Sequence, residues 1–330
     1  MAKLGIKFPD TDSIPIEDTL EMARTADEAG FDSLWMSDYK SGDPFSVLAA
    51  CAVVTERILL APGVTVVFNR APTTLAMAAA SVDTISKGRF ILGIGQGHRA
   101  IVEEENGLPF DHATERMVEY TEIIRALIRD GEVQHKGKHY TLGYKPWVKM
   151  FRDHIPIWYP PMFPESAART GAIADGAVAT QMTAERAGQL TRWIKQGAVD
   201  AGRDPADVEV GSYLLTVVTD DKQAGREMVK RHMAWYVGTF TRYEHLMTES
   251  GFEESALAAR AWREGDQERA VSLLTDALAD NVAIIGDVDE CRSRIQDYRD
   301  EGLEHPIIYP MPMTELETKK AFLDAVKLIG

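Results

Sequence analysis

The chain has 330 residues, 45% of them hydrophobic, with 36 basic against 51 acidic side chains and a formal net charge of −15. The basic residues are scattered rather than gathered into a stripe, which argues against nucleic acid or an anionic membrane surface as a partner. No uninterrupted apolar stretch approaches the roughly 20 residues of a membrane-spanning helix.

The chain opens on a strand-like run, Leu4-Gly5-Ile6-Lys7-Phe8, rather than on a basic segment with an apolar core, so a cytoplasmic protein is expected. A phrase then recurs: an amphipathic helix, a glycine, a short apolar strand. Residues 18–29 place Leu20, Ala23 and Ala26 on one face, and Gly30 precedes Phe31-Asp32-Ser33-Leu34-Trp35-Met36. The phrase returns around Gly88, before Arg89-Phe90-Ile91-Leu92, and around Gly302, before Pro306-Ile307-Ile308-Tyr309. Glycine suits the left-handed residue that ends a helix, and alternation of helix and strand implies a parallel sheet.

Strands are predicted at 4–8, 33–36, 58–67, 90–94, 157–159, 176–180, 209–219 and 306–309. Eight parallel strands are what a closed barrel needs, so the expected fold is α/β, a single (β/α)8 TIM barrel with insertions over residues 1–330. Residues 133–141, centred on Lys136-Gly137-Lys138, read as a hairpin, and about 220–286 reads as a helical insertion. Cys51 and Cys291 fall far apart in helical patterns and are expected to be buried reduced thiols.

Barrel enzymes carry their sites on the loops after the strands. The second strand leads into Ser37-Asp38-Tyr39, polar residues that could also cap the next helix. In the third, Pro62 and Gly63 interrupt a β-branched run, which signals either a bulge in the wall or close approach of a ligand to the backbone. The fourth ends in Gly93-Ile94-Gly95-Gln96-Gly97-His98, whose amides suit a phosphate or a ring oxygen but do not match the dinucleotide fingerprint. His98 is open to three readings: catalytic acid, phosphate contact or loop histidine.

After the fifth strand, Pro161, Met162 and Phe163 form a rigid apolar stretch suited to a flat heterocycle or to an ordinary buried loop. The sixth closes on Thr180-Gln181-Met182-Thr183, where Thr183 caps a helix or meets an anion. There is no HExxH, paired CxxC, GxxxxGK[ST] or GxSxG, so no metal is expected and acyl transfer is unsupported.

These stretches together resemble the bacterial-luciferase-like superfamily, and within it the branch that uses the deazaflavin coenzyme F420, which includes methylenetetrahydromethanopterin reductases and F420-dependent glucose-6-phosphate and secondary-alcohol dehydrogenases. The likeness is strongest at 26–38, 58–72 and 85–97, and resumes at 155–158, 174–176 and 286–309. It implies a homodimer, a non-prolyl cis peptide at Gly63-Val64 backing the deazaflavin ring, and Asp38 beside the cofactor. It places Gly63, Val64, Gly95, Gln96 and Gly97 against that cofactor. Thr65, His98, Pro161, Met162, Phe163 and Thr180 are expected to contact it as well, although the loop after the fifth strand departs from the small residues and glycines many relatives carry beside the cofactor phosphate.

Departures from the family narrow the reading. Tyr39 stands where several relatives carry an acid–base His, and a phenol suits proton donation better than abstraction at neutral pH. Lys7 and His98 replace acidic residues of the pterin reductases. Gln181-Met182-Thr183-Ala184 lacks the Lys of the sugar-phosphate dehydrogenases. The expected activity is hydride transfer between deazaflavin C5 and an electrophilic carbon (carbonyl, imine or activated alkene) of a small molecule. Asp38 would hold the cofactor, and Tyr39 or His98 would handle the proton. The alternatives are an FMN-dependent monooxygenase and a non-catalytic ligand-binding barrel.

Overall fold

A computed structural model describes residues 2–10, 14–40, 42–314 and 317–329. In chain order the elements are β1 (Gly5–Lys7), α1 (Ile16–Ala29), β2 (Ser33–Met36), α2 (Pro44–Val54), β3 (Leu59–Pro62), β4 (Thr65–Val66), α3 (Pro72–Ile85), β5 (Leu92–Gly95) and α4 (Ala113–Asp130). A hairpin of β6 (Val133–Lys136) and β7 (Thr141–Tyr144) follows, then β8 (Ile157–Tyr159), α5 (Pro164–Ile173), β9 (Gly176–Thr180), α6 (Ala184–Asp200) and β10 (Glu209–Val218). Next come α7 (Lys222–Thr239), α8 (Thr241–Glu249), α9 (Glu254–Arg263), α10 (Gln267–Leu273), α11 (Asp276–Val282), β11 (Ala283–Gly286), α12 (Val288–Asp300), β12 (His305–Pro310) and α13 (Thr318–Val326).

The strand order is β3-β2-β1-β12-β10-β9-β8-β5-β4, with β11 beside β10. Strands β3 and β4 are two pieces of the single run expected at 58–67, parted at Gly63 and Val64, and they stand at opposite ends of this order. Counted once, that broken strand gives eight positions that return on themselves: the sheet is mostly parallel and nearly closed, as a TIM barrel requires. The hairpin β6–β7 is antiparallel and separate.

The chain divides into two compact units, Asp10–Pro160 with Ile173–Val178, and Met1–Pro9 with Pro161–Ala172 and Ala179–Gly330. In the first, α1 ends at Gly30, whose φ of 98° is the left-handed value its place in the repeated phrase requires. Three residues before Gly30, the Asp27 carboxylate accepts the backbone N–H groups of Glu56, Arg57 and Ile58 at 2.8, 3.0 and 2.7 Å, tying the end of α1 to the start of β3. The Arg89 guanidinium does the same for α2, donating to the carbonyls of Ala52, Thr55 and Ile58. Asp83 of α3, 1% exposed, takes a two-pronged contact from Arg152 at 3.1 and 2.7 Å. Such forked pairs fix direction as well as distance.

In the second unit β1, β12, β10 and β11 run parallel, with Gly5 opposite Ile307 and Tyr213 opposite Ile307. At the amino ends of β10 and β12, Glu209 meets Nδ1 of buried His305 at 2.8 Å. Burial opposes ionisation of Glu209, but His305 and Lys3 outweigh it and hold the carboxyl down at about 2. The segment expected to be a helical insertion holds α7 to α11 and closes in strand β11, paired with β10 from Leu215↔Ala283 to Val218↔Gly286. Four residues, Ala283-Ile284-Ile285-Gly286, are too few for their period to tell strand from helix. Among the described residues no helix is long and apolar enough to cross a membrane.

Candidate functional site

Within each unit the residues singled out in the sequence lie at the ends of strands or just after them. In the unit formed by Asp10–Pro160, the centre is Asp38, half-buried two residues past β2. Thr65, fully buried in β4, donates its hydroxyl to the Asp38 carboxylate. Beside it the Gly63 amide donates to the Met36 carbonyl at 2.7 Å, so the broken third strand positions the end of the second. The Gly63-Val64 peptide is cis, as the resemblance implies. The helix-cap alternative for Ser37 and Asp38 falls away: α2 is capped by Asp43, which accepts from the Ser46 amide at 3.0 Å.

The alternating glycines of the fourth strand have a steric cause. A Cβ on Gly93 would lie 2.1 Å from the Pro62 carbonyl oxygen, one on Gly95 2.6 Å from Val64 Cγ2, and one on Gly97 2.9 Å from Val66 Cγ1. The missing side chains let β5 lie against the break between β3 and β4, and Gly97 also adopts φ 72°. Gln96 donates to Thr114 Oγ1 at 2.7 Å. His98 is half-buried, and its carbonyl accepts from Val102 in the π-helical turn Ile101–Glu105.

That turn carries a residue the sequence reading missed. Glu105 Oε1 accepts from the Tyr39 hydroxyl and from Lys40 Nζ, each at 3.2 Å. The Lys40 ammonium also lies 4.8 Å from the Tyr39 ring centroid, and these contacts with Tyr39 and Glu105 raise its pKa. In sequence Glu105 ends the run Glu103-Glu104-Glu105, which reads as a solvated face. Only the π-turn, a feature frequent at functional sites, brings it to the loop after β2.

In the unit that contains Pro161–Ala172, Pro161 is buried and Met162 and Phe163 half-buried after β8. The amides of Met162 and Phe163 donate to Ser166 Oγ in the first turn of α5 at 3.1 and 3.0 Å, which ties the loop to that helix. Thr183 caps α6, accepting from the Arg186 amide at 3.1 Å. Arg186 itself is buried, donates to Glu249 Oε2 at 3.0 Å, and leaves its Nε buried without a hydrogen-bond partner. Its place in the first turn of an amphipathic helix gives no sign of this in the sequence.

Thr180 ends β9, half-buried. The next residue, Gln181, is fully buried at φ 59°, with Nε2 3.0 Å from His232 Nε2 on α7 and Oε1 lacking a partner. Lys7 is buried 3.9 Å from the Tyr309 ring centroid. Burial pushes the thiols of Cys51 and Cys291 up to about 12, which leaves neither suited to nucleophilic work.

The family model for luciferase-like monooxygenases matches residues 5–305. The chain belongs to this family. A Mycobacterium tuberculosis protein provisionally named a coenzyme F420-dependent oxidoreductase is 27% identical over 93% of this chain and 94% of its own. A 5,10-methylenetetrahydromethanopterin reductase of Methanolobus tindarius is also 27% identical, over 99% of this chain and 98% of its own. Among solved structures, a coenzyme F420-dependent tetrahydromethanopterin reductase from Methanopyrus kandleri superimposes with a TM-score of 0.83 at 23% identity, covering 98% of each chain. That likeness establishes the luciferase-like TIM-barrel fold.

Proposed function

We propose that this chain is an F420-dependent oxidoreductase that moves hydride between deazaflavin C5 and an electrophilic carbon of a small molecule: a carbonyl, an imine or an activated alkene. The observation that carries this reading is kinship over almost the whole length, 93% and 99% of the chain, with relatives named for coenzyme F420 or for reduction of a methylene pterin.

The residues fit the cofactor. The Asp38 carboxylate, held by buried Thr65, is an acceptor for a ring N–H, and the buried Nε of Arg186 is a donor for an anionic phosphate. Gly63 and Val64 support the ring; Gly95, Gln96, Gly97, Pro161, Met162, Phe163 and Thr180 complete the contacts. When bound in its reduced form, coenzyme F420 supplies a hydride from C5. Tyr39 then gives its phenolic proton to the oxygen or nitrogen on which negative charge develops. Glu105, which accepts from that hydroxyl at 3.2 Å, keeps it in the loop after β2, and the proton turns from the carboxylate to the substrate as charge develops there. His98 is the competing donor.

The helical insertion at about 220–286 belongs to the one barrel domain, and residues 220–280 within it supply substrate contacts. The protein works in the cytoplasm as a homodimer.

The second reading, an FMN-dependent monooxygenase, is favoured by the description of the matching family. Reaction conditions separate the two. Anaerobic oxidation of reduced coenzyme F420 by a panel of aldehydes, ketones, imines and enones is expected, with no substrate-dependent oxygen uptake when reduced FMN is supplied. Oxygen uptake coupled to substrate with FMN, and no F420 turnover, would replace this proposal by the monooxygenase.

A further inference from the structure

We infer that this chain carries a site for a divalent transition-metal ion of the zinc type, built from His112, Glu115 and His139 and remote in purpose from hydride transfer. All three belong to the unit formed by Asp10–Pro160. His112 immediately precedes α4, Glu115 lies in the first turn of that helix, and His139 sits in the turn joining β6 to β7. Their ligand atoms all lie within 4.8 Å of one another. His139 Nε2 is already 2.8 Å from Glu115 Oε2, and His112 Nδ1 is 3.9 Å from Glu115 Oε1.

Tetrahedral zinc, with bonds of about 2.0–2.2 Å, sets its ligand atoms roughly 3.4 Å apart. Closing the site therefore asks for a swing of roughly 1 Å, within reach of His112, whose side chain is 52% exposed. The other two ligands stand on a braced frame. Glu119, one turn along α4 from Glu115, accepts the backbone amides of Lys138, His139 and Tyr140 at 2.9, 3.0 and 3.0 Å and so pins the hairpin turn to the helix. Support of this kind, from groups behind the ligands, is what orients a metal site.

Two imidazoles and one carboxylate select zinc and its neighbours over magnesium or calcium, which prefer oxygen donors. A fourth position is left for water. At present Lys138 Nζ reaches Glu115 Oε2 at 2.5 Å. Its side chain is 65% exposed, and an exposed ion pair contributes little, so the ammonium can turn to solvent as the metal arrives. The bound ion then fastens the β6–β7 hairpin to the start of α4.

The test uses the full chain without a histidine tag, stripped with chelator and titrated with zinc sulfate by calorimetry, alongside thermal unfolding. The wild type is expected to bind one zinc per chain and to unfold a few degrees higher at saturation, because a ligand that binds only the folded state stabilises it. Magnesium gives no such rise. His139→Ala and Glu115→Gln each weaken zinc binding by at least about tenfold. Lys138→Ala, which removes only the competing ammonium and leaves the fold undisturbed, tightens it. A wild-type chain that neither binds zinc nor gains stability overturns the site. So does zinc affinity that is unchanged in both His112→Ala and His139→Ala, or weakened in Lys138→Ala.

Discussion

Tyr39→Phe is expected to slow single-turnover hydride transfer by about 10²–10⁴-fold, the usual worth of general acid assistance, while leaving cofactor affinity nearly unchanged. Tyr39 follows Asp38 just past the end of β2, and its hydroxyl donates to Glu105 Oε1 at 3.2 Å, a bond it exchanges for one to the substrate. Phe keeps the ring and its contact with Lys40 while removing only the hydroxyl, so loss of rate cannot be assigned to lost packing. His98→Ala is the matched control. If Tyr39→Phe transfers hydride at the wild-type rate and His98→Ala does not transfer it at all, the proton comes from His98.

Arg152→Met is expected to destabilise the fold by about 3–5 kcal/mol at neutral pH, because it strands a buried charge rather than deleting a pair. Asp83 is 1% exposed, and Arg152 supplies both of its guanidinium contacts, at 3.1 and 2.7 Å, as well as one to the Phe90 carbonyl at 2.7 Å. Burial pushes the Asp83 carboxyl above its ordinary value of 3.8 even with Arg152 in place. The folded chain therefore holds that proton more tightly than the unfolded chain does. Stability from this group is fully present below the unfolded value and is lost as pH rises from there through the raised value. Arg152→Met should accordingly regain part of its deficit in mild acid, where Asp83 is neutral. Urea unfolding of both proteins from pH 7 downward measures this, and a deficit that stays constant or grows on acidification would show that Asp83 is not the stranded group.

The barrel was legible because its repeat is local. A helix, a glycine near φ 100° and an apolar strand occur together at Gly30 and Gly302, and each set declares one βα unit without reference to the rest of the chain. The interruption of the third strand was legible for the same reason, since Pro62 and Gly63 mark it where they stand. Other features depend on contacts that no local pattern encodes. Glu105 reaches Tyr39 across 66 residues, and Gln181 finds His232 across 51, inside a stretch whose sequence reads as a charged helical insertion. The glycines of the fourth strand show a further limit. Their spacing suggested amides exposed to an anion, and no local pattern told that Pro62, Val64 and Val66 on the opposing segment also require glycine there. Strand β11 escaped because a four-residue run carries no period to read.

Equilibrium titration of the purified chain with coenzyme F420 and, separately, with FMN tests the central proposal most directly. Deazaflavin fluorescence and flavin fluorescence report each complex, and Asp38→Ala serves as the site control. Tight saturable binding of coenzyme F420, at least about tenfold tighter than FMN and weakened in Asp38→Ala, is the expected result; a tenfold preference corresponds to about 1.4 kcal/mol. Saturable binding of FMN with no measurable binding of coenzyme F420 would contradict it.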